Sequence, residues 1–286
     1  MIEPDLASLI LILRPEAPHE QTKTPPRWWG RAAHAMLLNI VRQYNPQFAE
    51  HLHQDHQQRP FSVSTLMGKT KGGIPLLSEQ YRLRITAYQK ELAAILIQAA
   101  QDGPLSVERT IDLDYQPFKI EAIKPITDGS SAIGGNPWAA LNSYQQLSAP
   151  WLLAKDTPNR RISIQFTSAT TFKRDGKHLP IPLPELVFGS LLERWNEFAP
   201  ITFPEEVRRY TSECMALGRF NLHSYAVHLK AGSVRIGAVG QATYSSLNYD
   251  RYWMSVVHVL ANFSLFSGVG AGTSMGLGQC RMVSKP

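Results

Sequence analysis

Apolar side chains recur along the first half of the chain with two different periods. The run 6–13 is continuously apolar, which is typical of a buried strand. Residues 28–44 instead place apolar side chains every three or four positions, which predicts an amphipathic helix. A second, shorter helix is predicted from Pro46 to His53, with proline in its first turn. The remaining elements predicted in this half are strands at 61–67 and 81–87, a helix at 91–100, and extended segments at 106–114 and 118–123.

The second half repeats this order of elements. Small residues from Gly129 to Gly135 indicate a linker between the halves. After the linker the pattern predicts a strand at 161–172, a helix at 185–198, strands at 225–229 and 233–244, a helix at 252–266 and a short strand at 280–283. Each half reads strand, helix, strand, strand, helix, strand. We therefore predict an α+β fold of two tandem ferredoxin-like (RRM-like) domains, 1–135 and 136–286, with a C-terminal glycine-rich loop.

The glycine-rich segment 268–278 holds five glycines in eleven positions and is followed by Arg281. Glycine adopts positive φ without steric cost, and successive bare N–H groups can form a concave site for anions such as phosphate. The segment follows a helix-like run instead of a strand, which excludes the dinucleotide-binding motif, and no Gly-Lys-Ser/Thr follows, which excludes a P-loop. A glycine-rich turn without any ligand is the alternative.

Charge and cysteine content narrow the class of protein only moderately. The formal net charge is +6 and the isoelectric point is about 9.3, which suits a polyanionic partner but also an ordinary basic surface. Two cysteines are too few for a disulfide framework or a zinc site. The N-terminus lacks the basic region of a signal peptide, and the run 6–13 is too short to span a bilayer. We expect a cytoplasmic protein with no membrane partner.

Four histidines of the first half are candidates for proton transfer. His34 lies in the first long helix, and His51, His53 and His56 cluster at the end of the second. Imidazole titrates near neutral pH, and guanidinium groups stabilise charge on phosphate. Basic residues nearby in the sequence are Arg27, Arg31, Arg59, Lys69 and Lys71. Because RNA supplies its own nucleophile in the 2′-OH, such a set could cleave RNA without a metal or another cofactor, leaving a 2′,3′-cyclic phosphate and a 5′-OH.

The same histidines permit two other interpretations. His51, His53, Asp55 and His56 spell His-x-His-x-Asp-His, which resembles the metal-binding motif of metallo-β-lactamase-fold hydrolases. Here the motif follows a helix instead of an apolar strand, the next histidine is His178, and the glycine-rich segment would have no role. Alternatively, these histidines only solvate the end of a helix.

Several motifs together resemble one family. The glycine pattern of 268–281 is similar to the C-terminal loop of the CRISPR-associated endoribonucleases that process precursor CRISPR RNA, members of the RAMP superfamily. The stretches 45–53 (NPQFAEHLH) and 59–64 (RPFSVS) resemble the N-terminal segment of this family, as does 180–188 (PIPLPELVF) followed by Arg194-Trp195 in the second half. The resemblance touches both halves and implies two ferredoxin-like domains side by side.

The resemblance also implies catalytic roles. It places the general acid/base at His53, the second catalytic histidine at His34, and a partner for the scissile phosphate at Arg59. Some members carry a catalytic tyrosine in the first helix, where this chain has Leu38, so the second proton-transfer role falls to His34. His51 stays an alternative to His53.

The implied substrate is CRISPR repeat RNA, as a hairpin or a single strand, with subunits of a CRISPR effector complex as further partners. The positions we expect to contact RNA are Arg31, Arg160, Arg161, Lys173, Arg174, Gly268, Gly270, Gly272, Thr273, Gly276, Gly278 and Arg281. A non-catalytic RNA-binding subunit of the same superfamily would share the fold and the glycine-rich segment without using the histidines.

Overall fold

A computed structural model describes residues 3–17, 26–53, 58–71, 73–125, 136–229 and 232–283. The predicted linker at 129–135 lies outside these residues. The chain forms two units. The first contains Glu3–Leu141 together with Ser274–Gly276, and the second contains Asn142–Thr273 and Leu277–Pro286. Among the described residues, no helix is both long and apolar enough to cross a membrane.

The first unit is built on an antiparallel sheet in the order β2-β5-β1-β7-β6. Its elements are β1 (Leu6–Pro15), α1 (Gly30–Tyr44), α2 (Pro46–His53), β2 (Phe61–Val63), β3 (Thr70–Lys71), β4 (Ile74–Pro75), β5 (Tyr81–Ala87), α3 (Lys90–Gln101), β6 (Thr110–Leu113), β7 (Gln116–Lys124) and β8 (Ala140–Asn142). Strand β1 lies between β5 and β7, as the first strand of a ferredoxin-like unit does.

Every second side chain of β1, from Ala7 to Leu13, belongs to the core of this unit. Leu9 and Leu11 of β1 pair with Ile85 and Leu83 of β5, and all four side chains are buried. The apolar stripe of α1, including Leu37 and the other side chains that recur every three or four residues, belongs to the same core. Burial of this face fixes the rotation of α1 about its own axis, and therefore the direction in which each of its polar side chains points.

The second unit repeats the arrangement. Its elements are α4 (Tyr144–Leu152), β9 (Arg161–Thr170), β10 (Phe172–Arg174), β11 (Lys177–Leu179), α5 (Pro184–Phe198), α6 (Glu206–Glu213), β12 (Met215–His228), β13 (Val234–Ser246), α7 (Arg251–Ser267) and β14 (Cys280–Val283). The sheet order is β12-β13-β9-β14, again with the first strand of the unit between the third and the last. The predicted α+β fold of two ferredoxin-like units is confirmed.

Some individual elements were predicted wrongly. The sequence analysis missed two helices, α4 and α6. Helix α4 contains Pro150, a residue type that usually interrupts a helix, and α6 is strongly polar apart from a few side chains such as Val207 and Tyr210. Strand β12 begins ten residues before the predicted 225, because a largely exposed edge strand carries no apolar alternation. The strands predicted at 61–67 and 106–114 shorten to β2 and β6.

Candidate functional site

Of the predicted catalytic residues, His34 is the one that the fold buries most deeply. It lies one helical turn before Leu37 and Leu38 on α1, so the packing that buries those leucines also draws the imidazole inward, and only 7% of its surface is exposed. Its ring lies against Phe61, the first residue of β2, with 5.3 Å between the ring centres. Its Nδ1 lies 2.9 Å from the backbone carbonyl oxygen of Ser274, in the glycine-rich segment.

Close backbone approach in the first unit brings that carbonyl to the helix. The Trp28 indole N–H donates to the Met275 carbonyl oxygen at 2.7 Å, and Gly276 forms a parallel bridge with Ser64. A Cβ atom at Gly30 would lie 1.9 Å from the Met275 oxygen. Gly276 has φ of +93°, which an L side chain rarely adopts. Residues 274–276 can therefore pack against α1 only because both positions are glycine.

The contact with Ser274 fixes the tautomer of His34. A carbonyl oxygen only accepts hydrogen bonds, so Nδ1 carries the proton and Nε2 of the neutral ring carries a lone pair. The pKa of His34 is lowered to about 4, mainly by burial and to a smaller extent by the positive charges of Arg59 and His53, while the hydrogen bond to Ser274 acts in the opposite direction. His34 is consequently neutral at pH 7 and able to accept a proton at Nε2.

Helix α2 presents His51 and His53, and both side chains are exposed. Leu52 between them is buried, which turns the two imidazoles outward. The Arg59 Nε donates to the Leu52 carbonyl oxygen at 3.1 Å, and the Tyr88 hydroxyl donates to the Arg59 carbonyl oxygen. Arg59 is thus held at the carboxyl end of α2. Because the charges of Arg59 and His53 both act on His34, these three predicted residues lie in one neighbourhood.

The metal-site alternative can be compared with the structure only in part. His51 and His53 belong to α2, whereas Asp55 and His56 of the same motif lie outside the described residues. Within the described parts of the chain, no three or more histidine, cysteine, aspartate or glutamate side chains come together in a way that could hold a metal ion.

The rest of the glycine-rich segment belongs to the second unit, where backbone hydrogen bonds hold it. The Val269 N–H donates to the Gly278 carbonyl oxygen at 2.9 Å, and the Ala271 N–H donates to that of Thr171 at 2.8 Å. The predicted RNA-contacting residues Gly268, Thr273, Gly276 and Gly278 are buried, and Gly270 and Gly272 are half-buried.

The predicted basic positions lie mostly on the surface. Arg31 is exposed in the first turn of α1. In the second unit the exposed positions are Arg160, Arg161, Lys173 and Arg174. The Arg160 guanidinium lies 5.0 Å from the ring centre of Tyr249. Arg281 is half-buried on β14, and burial lowers the pKa of its guanidinium.

Sequence reasoning missed the groups that orient His34. Two of these groups, the Ser274 carbonyl and the Phe61 ring, contact His34 itself. A third, the Trp28 indole, contacts the glycine-rich segment beside it, at Met275. Only Gly30 carried a signal, since glycine at the start of a helix that has no side-chain cap indicates close approach of another backbone.

Comparisons of the sequence identify related proteins. A family model described as CRISPR Cas6 N-terminal domain matches residues 6–97, and one described as CRISPR-associated endoribonuclease Cas6 matches residues 164–280. A CRISPR-associated endoribonuclease Cas6 of Mycobacterium tuberculosis (strain CDC 1551 / Oshkosh) is 29% identical over 125 residues, which are 43% of this chain and 39% of that protein. The match therefore spans well under half of that relative.

Comparisons of the fold extend over the whole chain. A Cas6 product complex has 25% sequence identity and a TM-score of 0.74, covering 98% of this chain and 99% of that chain. A product complex of a Thermus thermophilus Cas6 has a TM-score of 0.77 at 22% identity, covering 99% and 100% of the two chains, which shows likeness of fold.

Proposed function

Because this chain belongs to the Cas6 family of CRISPR-associated endoribonucleases, we propose that it cleaves CRISPR repeat RNA within precursor transcripts. The observation that carries this proposal is the state of His34. A buried, neutral imidazole whose Nδ1 is bound to a carbonyl oxygen keeps its other nitrogen as a base, and it lies beside a segment with the glycine pattern of the family.

The proposed reaction uses the 2′-OH of the nucleotide before the cut. Nε2 of His34 accepts the 2′-OH proton, the 2′-oxygen attacks the phosphorus, and the bond from phosphorus to the 5′-oxygen breaks. His53 gives a proton to the departing 5′-oxygen, and the Arg59 guanidinium stabilises the added charge on the phosphate. The products are a 2′,3′-cyclic phosphate and a 5′-OH, and the proton count balances without a metal ion.

This assignment gives the two histidines different tasks for a physical reason. His34 is neutral well below pH 7, so it suits the role of base. His53 is exposed at the end of α2, where a substrate could reach it, and so suits proton donation. His51 is exposed on the same helix and is the alternative donor.

We propose that RNA contacts the glycine-rich segment, Arg31 in the first unit, and Arg160, Arg161, Lys173, Arg174 and Arg281 in the second unit. Relatives have been solved as product complexes, and by analogy we expect this chain to bind the RNA that it cuts. Phosphate contacts of this kind hold a hairpin by its shape, whereas base edges and stacking select single-stranded flanks.

The decisive experiment compares two labelled repeat RNAs, one unmodified and one with a single 2′-deoxy nucleotide before the cut. We expect the first to be cleaved in the presence of EDTA, and the second to bind with similar affinity and stay intact. Cleavage of the deoxy substrate would exclude the 2′-OH mechanism. Loss of cleavage in EDTA, restored by zinc or manganese, would favour the metal-site interpretation, and binding without any cleavage would favour a non-catalytic subunit.

A further inference from the structure

A buried arginine in the second unit is not used by the proposed reaction. Arg194 lies on α5 with 9% of its surface exposed. Its Nη1 donates to the carbonyl oxygen of Ser190 at 3.0 Å and also to the Ser190 hydroxyl, and its Nη2 donates to the Gly270 carbonyl oxygen at 2.6 Å. Among the described residues, no carboxylate lies within 4.0 Å of its guanidinium.

The same pair of residues holds both polar groups of one glycine. The Gly270 N–H donates to the Ser190 hydroxyl at 2.9 Å, while Arg194 binds its carbonyl oxygen. Gly270 has φ of +73°, and a Cβ there would lie 2.3 Å from the Thr171 oxygen. The peptide groups on both sides of Gly270 are thus fixed by two side chains one helical turn apart on α5.

Stability alone gives little reason for an arginine at this position. Removing a guanidinium from water is costly, and well-packed apolar side chains of similar volume are often as stabilising as buried charges. A methionine could fill the space beside Ser190. What a methionine cannot supply is a donor for the Gly270 carbonyl oxygen, which would then lose its hydrogen bond from Arg194.

We infer that Arg194 and Ser190 are positioning residues, which hold Gly270 so that the glycine-rich segment has the conformation needed for RNA cleavage. This inference rests on the proposed function. Neither side chain is assigned a contact with RNA. Both act through Gly270, so their effects on cleavage should be strongly non-additive, as is usual for residues that share one partner.

The test measures single-turnover cleavage, melting temperature and amide hydrogen exchange for Arg194→Met and Ser190→Ala, singly and combined. For Arg194→Met we expect cleavage slowed about 10²-fold, as small misplacements near a reacting centre can produce. The melting temperature should stay equal or rise, and exchange should become faster at Gly270 and Ala271.

Arg208→Met is the matched control, because Arg208 pairs with Glu193 and Glu205 on the surface of the same unit. It should cleave at the wild-type rate.

Several outcomes would overturn the inference. Cleavage by Arg194→Met at the wild-type rate is one such outcome. Another is an activity that falls only in proportion to a lowered melting temperature, which is the behaviour of a purely structural residue. If Arg194→Met does not fold, Ser190→Ala decides: slower cleavage at unchanged melting temperature supports the inference, and wild-type cleavage overturns it. A wild-type protein that fails to cleave repeat RNA contradicts the proposed function instead. In that case, amide exchange at Gly270 and Ala271 still tests whether Arg194 holds Gly270: exchange that is as slow in Arg194→Met as in the wild type would overturn this part of the inference.

Discussion

The ionisation of a single imidazole couples the folding of the first unit to pH. Burial lowers the pKa of His34 to about 4, whereas an unfolded histidine titrates near pH 6.5. Between these values the unfolded chain binds the extra proton, so the stabilising contribution is complete above about pH 6.5 and is lost as the pH falls through 4. A shift of this size corresponds to about 3 kcal/mol of unfolding free energy.

We therefore expect His34→Asn to remove part of the pH dependence of stability. The amide of asparagine can still donate to the Ser274 carbonyl oxygen but does not titrate. The loss of unfolding free energy between pH 7 and pH 4 should be about 3 kcal/mol smaller in the variant than in the wild type. Urea denaturation at a series of pH values measures this difference, and equal pH dependence in the two proteins would contradict the buried, neutral state of His34.

The two exposed histidines of α2 should differ in their effect on cleavage. Replacing His53 by alanine should slow single-turnover cleavage by about 10²–10⁴ and leave RNA affinity nearly unchanged, because a lost proton donor affects the transition state. His51→Ala is the matched control, since it removes the same side chain from the same exposed helix end. A large effect in His51→Ala with none in His53→Ala would transfer the role to His51.

At the scale of elements, the start of α1 depends on one close contact with the glycine-rich segment. Because a Cβ at Gly30 would lie 1.9 Å from the Met275 oxygen, Gly30→Ala must displace residues 274–276 or the helix. We expect it to destabilise the protein by about 2–4 kcal/mol, although alanine is the better helix former. Thermal and urea denaturation measure this loss.

The neighbouring position provides a control for Gly30→Ala. Arg31 is exposed, so Arg31→Ala should leave the unfolding free energy within about 0.5 kcal/mol of the wild type and instead weaken RNA binding. A Gly30→Ala protein as stable as Arg31→Ala would show that the approach of Met275 to α1 is not required for folding.

Elements with strong local signals were predictable from the sequence, and contacts between backbone groups were not. Helix α2 and strand β14 have the predicted bounds, since Pro46 begins the helix and the glycines end where β14 starts. The pairing of His34 with the Ser274 carbonyl spans 240 positions, and a carbonyl oxygen has no residue-type signature. Helix α6 was missed because polar residues outnumber its buried side chains, such as Val207 and Tyr210.

At the scale of the whole molecule, we expect the positive charge of the protein to make its affinity for RNA fall as the salt concentration rises. The formal net charge is +6, and several basic side chains that we assign to RNA contact are exposed in the second unit. Each phosphate neutralised on a single strand releases a counterion, so the logarithm of affinity should fall with the logarithm of salt concentration by about 0.7 per phosphate.

Individual basic residues should contribute unequally to that slope. Arg161 and Lys173 lie exposed, so Arg161→Gln and Lys173→Gln should each reduce the slope by about 0.7. The Arg174 guanidinium lies within 3.9 Å of the Glu185 carboxylate and 3.8 Å of that of Asp175, which already offset its charge, so Arg174→Gln should reduce the slope less.

Arg209→Gln serves as the control, because Arg209 faces Glu213 on α6 outside the assigned surface. Filter binding at four or more salt concentrations measures the slopes. Equal slopes for all four variants and the wild type would mean that RNA binds elsewhere, because each phosphate contact must release its own counterion.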